Sequence, residues 1–343
     1  MANMVVRPMT SEVRPRVFVT RRISADGLAR IAAETDADVW PEDFPPPRPE
    51  LLRRVAGLDG LLSMVTEKID DELLEAAGPR LKVVSTFAVG FDNIDVAACT
   101  RRGVAVGNTP GVLTETTADE AFALLMAAAR RVTEAYDYVR QDRWKAWSPM
   151  VLLGSDVHHA TLGIIGFGRI GREVAKRARG FDMDVLYCNR HALAPDEEQR
   201  LGVKRASLDD LLAHSDFVSL HVTLTPETHH LMNAETLGKM KRSAILINAA
   251  RGAVVDPDAL FDALQNGVIA GAALDVTDPE PMPGDHKLLT LPNCLVVPHI
   301  ASASVATRRK MTDMSTANLL AGVTGQPLPS CLNPEVYRTS RES

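Results

Sequence analysis

The stretch Thr161-Leu162-Gly163-Ile164-Ile165-Gly166-Phe167-Gly168-Arg169-Ile170-Gly171 constrains this chain more than any other. Residues 162–165 form an apolar run that reads as a short buried strand. The run meets Gly-x-Gly-x-x-Gly (Gly166, Gly168, Gly171) and passes into a helical segment over 169–180. Each glycine has a physical task in a dinucleotide site. The first permits the tight turn, the second lets backbone approach a pyrophosphate, and the third lets helix and strand pack closely. The helix N-terminus adds unpaired N–H groups and a positive dipole end. Glycine-rich turns are common, but here a strand precedes, a helix follows, and a further apolar run lies at 185–188. Gly166, Phe167, Gly168, Arg169 and Ile170 are therefore expected to hold the cofactor.

A chain of 343 residues exceeds one ordinary core, so two domains are expected. Strands are predicted at 17–19, 39–40, 60–65, 81–86 and 104–106. Helices alternate with them at 25–34, capped by Ser24, and at 50–56, 70–77 and 94–101. Five prolines mark 41–49 as loop. Asn108-Thr109-Pro110-Gly111 breaks this rhythm. Thr117 and Glu120 have capping-box spacing, and Phe122, Leu125, Met126, Ala129, Val132 and Tyr136 keep helical spacing to about residue 140. A tryptophan-bearing loop at 143–149 leads to the glycine unit. The β-α rhythm then resumes, with helices at 208–213, 234–240 and 256–265 and strands at 217–222, 244–248, 269–274 and 294–297. A last helix spans 304–322. The fold class is α/β: two doubly wound parallel-sheet domains. A flavodoxin-like substrate (catalytic) domain takes 1–108 plus 304–343, and a Rossmann nucleotide-binding domain takes 109–303.

The formal charge of −6 and the lack of a dense Lys/Arg stripe argue against a nucleic-acid partner. Cys99, Cys188, Cys294 and Cys331 lie far apart, which suits free, mostly buried thiols in a reducing cytoplasm. Residues 1–15 read as a loose leader without the apolar core of a signal peptide. The longest apolar run, 121–129, is too short to span a bilayer. The pairs His158-His159 and His229-His230 read as loop residues, with no metal site expected. His214 reads as a helix-end residue, His221 as a strand residue, and Thr66-Glu67-Lys68 as solvated surface.

About 18 residues past Gly171, at the end of the second strand of the glycine unit, an Asp or Glu would accept from the ribose 2′-OH of NAD. Asn189 and Arg190 stand there instead. A guanidinium pairs with a 2′-phosphate, so the pair favours NADP(H) over NAD(H). The alternative is that Arg190 is a surface charge and either cofactor is accepted. Three further ionisable residues sit past strands in the second half: Arg251, Glu280 and His299. In an open α/β sheet the carboxyl ends of the strands form the ligand crevice. Arg251 can grip a carboxylate and help polarise a ketone. His299 can give and take a proton near neutral pH. Glu280 beside it favours the imidazolium. Singly, each residue reads as surface or cap; jointly they suit reduction of a 2-oxo acid.

The chain resembles the D-isomer-specific 2-hydroxyacid dehydrogenases, and most of all their glyoxylate/hydroxypyruvate reductases, from about residue 16 to 333. The resemblance is carried by Ala88-Val89-Gly90-Phe91-Asp92-Asn93-Ile94-Asp95, Thr109-Pro110-Gly111-Val112-Leu113-Thr114, the run from Gly163 to Gly171, Ile247-Asn248-Ala249-Ala250-Arg251-Gly252, Leu274-Asp275-Val276 with Pro279-Glu280-Pro281, and Pro298-His299-Ile300. It implies that Arg251, Glu280 and His299 are the catalytic trio and that the Val89 and Gly90 backbone binds the substrate carboxylate. It also implies that Thr223, Ala249 and Asp275 line the nicotinamide side, and that the protein is a homodimer whose domains close over substrate. A tryptophan, Trp147, is implied to reach the partner's active site. Ala301 stands where relatives usually carry Gly, so its methyl is expected to press on the nicotinamide pocket.

The reading is an NAD(P)H-dependent reductase of small 2-oxo acids, with His299 as proton donor. Its rivals are a related enzyme for phosphite, formate or a bulkier 2-oxo acid, and a nucleotide-sensing corepressor that binds a peptide.

Overall fold

The structure, a computed structural model, describes residues 14–339. Apart from residues 14 and 15, the expected leader lies outside the described residues. The chain divides into two compact units. One runs to Val112 and resumes at Arg308; the other is Leu113–Thr307.

The first unit is built on a parallel sheet of β1 (Arg16–Val19), β2 (Asp36–Val39), β3 (Gly60–Ser63), β4 (Val83–Thr86) and β5 (Ala105–Gly107). The order β2-β1-β3-β4-β5 is that of flavodoxin-like folds. Side chains alternate between two buried faces. Phe18, Leu61, Val84 and Val106 pack on one side, and Val17, Val19, Leu62, Val83 and Ala105 on the other. Burial on both faces is why these strands read as continuous apolar runs. Helices α1 (Ala25–Glu34), α2 (Arg48–Val55), α3 (Asp71–Ala77) and α4 (Val96–Arg101) connect them. Ser24 caps α1 by accepting from Gly27 N.

Two expectations for this unit are corrected. The proline loop ends at Pro47, because α2 takes in Pro49 in its first turn, where a missing N–H costs nothing. Glu67 is no surface residue: only 2% exposed, it accepts from Thr20 Oγ1 (2.7 Å), Met64 N (2.6 Å) and Thr66 Oγ1 (2.7 Å) and pairs with Arg21 at 3.3 Å. A buried carboxylate persists when its lone pairs are this fully engaged.

The second unit opens with α5 (Thr114–Ala129) and α6 (Val132–Arg140). These correct the single long helix. Thr117 lies inside α5 rather than capping it, and Arg131, at φ 51°, breaks the axis. The sheet follows, as β6 (Thr161–Ile165), β7 (Asp184–Cys188), β8 (Val203–Arg205), β9 (Phe217–Leu220), β10 (Ile245–Asn248), β11 (Gly271–Leu274) and β12 (Cys294–Val296). Its order is β12-β11-β10-β9-β6-β7-β8, all parallel. The reversal between β6 and β9 is the topological switch point of a doubly wound sheet, where ligands bind past the strand ends. Helices α7 (Arg169–Ala178), α8 (Pro195–Leu201), α9 (Leu208–His214), α10 (Ala234–Gly238) and α11 (Pro257–Gln265) alternate with the strands. The pair α8–β8 escaped the sequence reading. The chain then enters α12 (Val305–Val323) and ends its described part in α13 (Val336–Thr339). All four cysteines are free; Cys99 is buried and the other three only half-buried, fewer than expected.

Candidate active site

The glycine turn stands at the switch point. Gly166 has φ +93°, and a Cβ there would lie 2.6 Å from the His221 carbonyl carbon and the Val222 nitrogen. Its N–H donates to Cys188 O at 3.0 Å, which ties the turn to the end of β7. Gly168, at the N-cap of α7, has nothing within 4 Å of an added Cβ, whereas at Gly171 a Cβ would meet Gly166 O at 2.5 Å. A strained turn, an open cradle and a close helix contact in that order fit a dinucleotide pyrophosphate. Arg169 and Ile170 form the first turn of α7. The Phe167 ring is 2% exposed and lies 4.7 Å from Tyr187, so only its backbone is available to a ligand.

Asn189 and Arg190 follow β7 directly; Arg190 is exposed and Asn189 half-buried. Arg205, at the end of β8, donates to Asn189 O at 3.3 Å. It therefore adds a second guanidinium beside this corner, one the sequence reading missed with its strand. Pro195 at the start of α8 and Gly202 just past its end were the available signals.

His221 follows β9. Its Nε2 pairs with Ser219 Oγ at 2.8 Å, while its Nδ1 is buried without a partner among the described residues. The residue as a whole keeps some exposure, but the ring lies inside, and burial pushes its pKa down to about 4. The unfolded chain protonates this imidazole near pH 6.5, well before the folded one. The stability from a neutral His221 is therefore complete above about pH 6.5 and lost as pH falls towards 4, a change of about 3 kcal/mol at most. Urea unfolding of His221→Asn should show a flatter decline of stability across that window than the parent. Equal slopes would remove His221 from the acid response.

Arg251, Glu280 and His299 follow the neighbouring strands β10, β11 and β12. Asn248, fully buried at the end of β10, folds the next turn over itself. Its Oδ1 accepts from Ala250 N at 3.0 Å and its Nδ2 donates to Arg251 O at 2.8 Å. Arg251 Nη1 donates to Ala250 O at 2.8 Å. Glu280 Oε1 lies 2.6 Å from His299 Nδ1, and each side chain is about one-third exposed. Partial burial pulls the Glu280 carboxyl upward, but the His299 hydrogen bond and charge, with a smaller pull from Arg251, hold it below the ordinary carboxylate range. It stays ionised.

His299 has φ +53° and donates its N–H to Asp275 O at 2.8 Å. The Asp275 carboxylate, 2% exposed, accepts from Ile300 N (2.6 Å) and Ala301 N (3.1 Å). Burial raises its pKa. Asp275 thus clamps the turn that carries His299, a task the sequence did not reveal. Ala301 is 5% exposed and keeps an ordinary φ, so an alanine fits its backbone. Ala249 is 8% exposed. Thr223 is exposed, and its carbonyl accepts from Thr228 Oγ1 at 2.7 Å. Val89 and Gly90 lie in the first unit, in the turn after β4. Trp147 stands 80% exposed past α6. Among the described residues no group of three or more His, Cys, Asp or Glu is placed to hold a metal, and no helix is long and apolar enough to cross a membrane.

Residues 122–301 match the family model described as D-isomer specific 2-hydroxyacid dehydrogenase, NAD binding domain. A glyoxylate reductase from Korarchaeum cryptofilum is 53% identical over 327 residues, covering 95% of this chain and 98% of that protein. The chain belongs to the D-isomer-specific 2-hydroxyacid dehydrogenases. A Thermococcus kodakarensis glyoxylate reductase is 47% identical over 333 residues, covering 96% of this chain and 99% of its own. Among solved structures, the NADPH-dependent glyoxylate/hydroxypyruvate reductase of Sinorhizobium meliloti, in complex with NADP and malonate, is 33% identical with a TM-score of 0.81. It covers 94% of this chain and 97% of that one. The glycine turn of the Leu113–Thr307 unit is accordingly that of the family's nicotinamide-dinucleotide-binding domain.

Proposed function

We propose that this dehydrogenase reduces glyoxylate and hydroxypyruvate, prefers NADPH to NADH, and works as a cytoplasmic homodimer. The observation that carries the reading is the 2.6 Å pairing of His299 Nδ1 with an ionised Glu280. A carboxylate can only accept, so Nδ1 bears a proton and Nε2 is left as the nitrogen that gives its proton to the ketone oxygen. Arg251 binds the substrate carboxylate through its planar fork and polarises the ketone. In the first unit, the Val89 and Gly90 N–H groups offer donors to a substrate carboxylate. Gly166, Phe167, Gly168, Arg169 and Ile170 hold the cofactor pyrophosphate, and Thr223, Ala249, Asp275 and Ala301 line its nicotinamide side. When bound, the cofactor supplies the hydride for the keto carbon.

The choice of NADPH rests on Asn189 and Arg190, with Arg205 close by. The homodimer rests on an uncovered apolar run. Helix α6 buries none of its residues, and Val132, Tyr136 and Val139 are exposed at helical spacing, followed by Trp144, Trp147, Met150 and Leu153. Such a run of exposed apolar side chains suits a second copy of the chain, into whose active site Trp147 would reach.

Initial rates with glyoxylate, hydroxypyruvate and pyruvate, each with NADPH and NADH, test the proposal. Turnover of the first two with an NADPH preference is expected, and Arg190→Ala should narrow that preference by about tenfold. Turnover that favours NADH would keep the chemistry and remove the cofactor preference. No turnover with any of the three acids would overturn the assignment.

A further inference from the structure

A turn that binds an anion through N–H groups needs something to fix where they point. The Ala88–Gly90 turn has such a device in its own unit. Ala88 O accepts from Thr109 N at 2.8 Å, and Val89 O accepts from Asn108 Nδ2 at 2.9 Å. In a planar trans peptide the N–H points opposite to the C=O of the same unit. The Ala88 carbonyl shares its plane with the Val89 N–H, and the Val89 carbonyl shares its plane with the Gly90 N–H. With both carbonyls tied back to the segment after β5, both N–H groups are turned to the other side. Neither has an acceptor among the described residues.

Asn108 is itself held rigidly. It is 5% exposed. Its side-chain orientation is decided by chemistry, since a carbonyl cannot donate and the atom facing Val89 O must be Nδ2. Ser330 Oγ lies 3.0 Å from Asn108 Oδ1 and completes the amide. The Asn108 backbone oxygen accepts from Asn318 Nδ2 at 3.0 Å, and Asn318 Oδ1 accepts from Ser330 N at 3.0 Å. Asn318 is fully buried on α12, packed so closely that a Cβ on Gly107 would meet it at 2.8 Å. The C-terminal return of the chain therefore braces Asn108, and Asn108 braces the turn.

We infer that Asn108 is a positioning residue for the substrate carboxylate: it locks the Val89 carbonyl so that the Val89 and Gly90 N–H groups are presented together to the anion, with Ser330 and Asn318 holding Asn108 in place. This rests on the reading that the turn binds a 2-oxo acid. Asn108 acts through the turn, so its loss should weaken carboxylate recognition and leave hydride and proton transfer intact.

The experiment compares the full-length parent, Asn108→Ala and Ser330→Ala on glyoxylate and on its methyl ester, and measures oxalate binding by calorimetry. For Asn108→Ala, KM for glyoxylate and Kd for oxalate should rise about tenfold, the scale of one lost hydrogen bond in a preorganised site. kcat, KM for NADPH and kcat/KM for the uncharged ester should stay within about twofold of the parent. Ser330→Ala, a half-buried position, should give the same pattern at about two- to fourfold, and it guards against an Asn108→Ala that fails to fold. A general loss of structure would depress acid and ester alike, and that outcome overturns the inference. So does an unchanged glyoxylate KM in an active enzyme. If the parent turns over none of the acids yet binds oxalate, and Asn108→Ala weakens that binding, the reductase reading fails and the positioning role stands. A parent that neither binds oxalate nor turns over acid overturns both.

Discussion

Replacing His299 by alanine is expected to lower kcat for 2-oxo acid reduction by about 10²–10⁴-fold, the usual contribution of a positioned general acid. The imidazole sits on a left-handed turn clamped by Asp275, with Nδ1 committed to Glu280 at 2.6 Å. On the proposed mechanism alanine removes the transferable proton without touching the glycine turn, so KM for NADPH should hold. Glu280→Gln is the informative companion. The amide oxygen still accepts from Nδ1, but the charge that stabilises the imidazolium is gone, and a charge-assisted bond becomes an ordinary one. A loss of about tenfold is expected for it. The two residues act as one unit, so the double variant should be no slower than His299→Ala alone. Single-turnover kinetics would decide the case: an unchanged rate of cofactor oxidation in His299→Ala would leave this histidine no part in proton transfer.

The same residues show what a sequence can carry. The central strands of the two sheets were legible because both their faces are buried, and they appear as uninterrupted apolar runs such as Ile245-Leu246-Ile247. The edge strand β2, with no buried residue, was caught only at Val39. Strand β8 was not, since Val203-Lys204-Arg205 offers one buried side chain and two exposed ones. The break at Arg131 carries no Gly or Pro; its left-handed φ costs about 1 kcal/mol and is imposed by the fold rather than by local preference. Glu67 reads as solvated between Thr66 and Lys68, because the hydroxyl that helps to bury it, Thr20, lies 47 residues away in sequence. The trio Arg251, Glu280 and His299 stood out by their places after strands. The clamp from Asp275 to Ile300 and Ala301, and the brace from Asn108 to Val89, did not, because backbone partners leave no mark on residue type.

Gly252→Ala tests the packing behind the trio. A Cβ at this residue would sit 1.9 Å from Thr277 O and 2.0 Å from its carbonyl carbon, where ordinary contact begins at 3.4 Å. Both obstacles are backbone, so no side chain can swing aside, and the β10 and β11 exits must separate by about 1.5 Å. Overpacking of this kind costs about 3 kcal/mol, which lowers the melting temperature by roughly 5–10 °C in a unit of this size. The catalytic loss should be larger in proportion. Gly252 follows Arg251 directly, while Thr277 N lies 3.4 Å from Glu280 Oε2 and Thr277 Oγ1 donates to Pro279 O at 2.9 Å. Spreading the two exits therefore moves Arg251, the proposed carboxylate grip, away from the Glu280–His299 pair. A displacement of about 1 Å at reacting groups can cost about 10²-fold in rate. The expected result is a folded, cofactor-binding protein with kcat/KM reduced by about 10²–10³, measured well below its melting temperature. Gly284→Ala, where an added Cβ meets nothing within 4 Å, serves as the control and should match the parent in both stability and rate. If Gly252→Ala melts with the parent and reduces glyoxylate as fast, the tight crossing of these two turns is not what holds Arg251 and Glu280 in register.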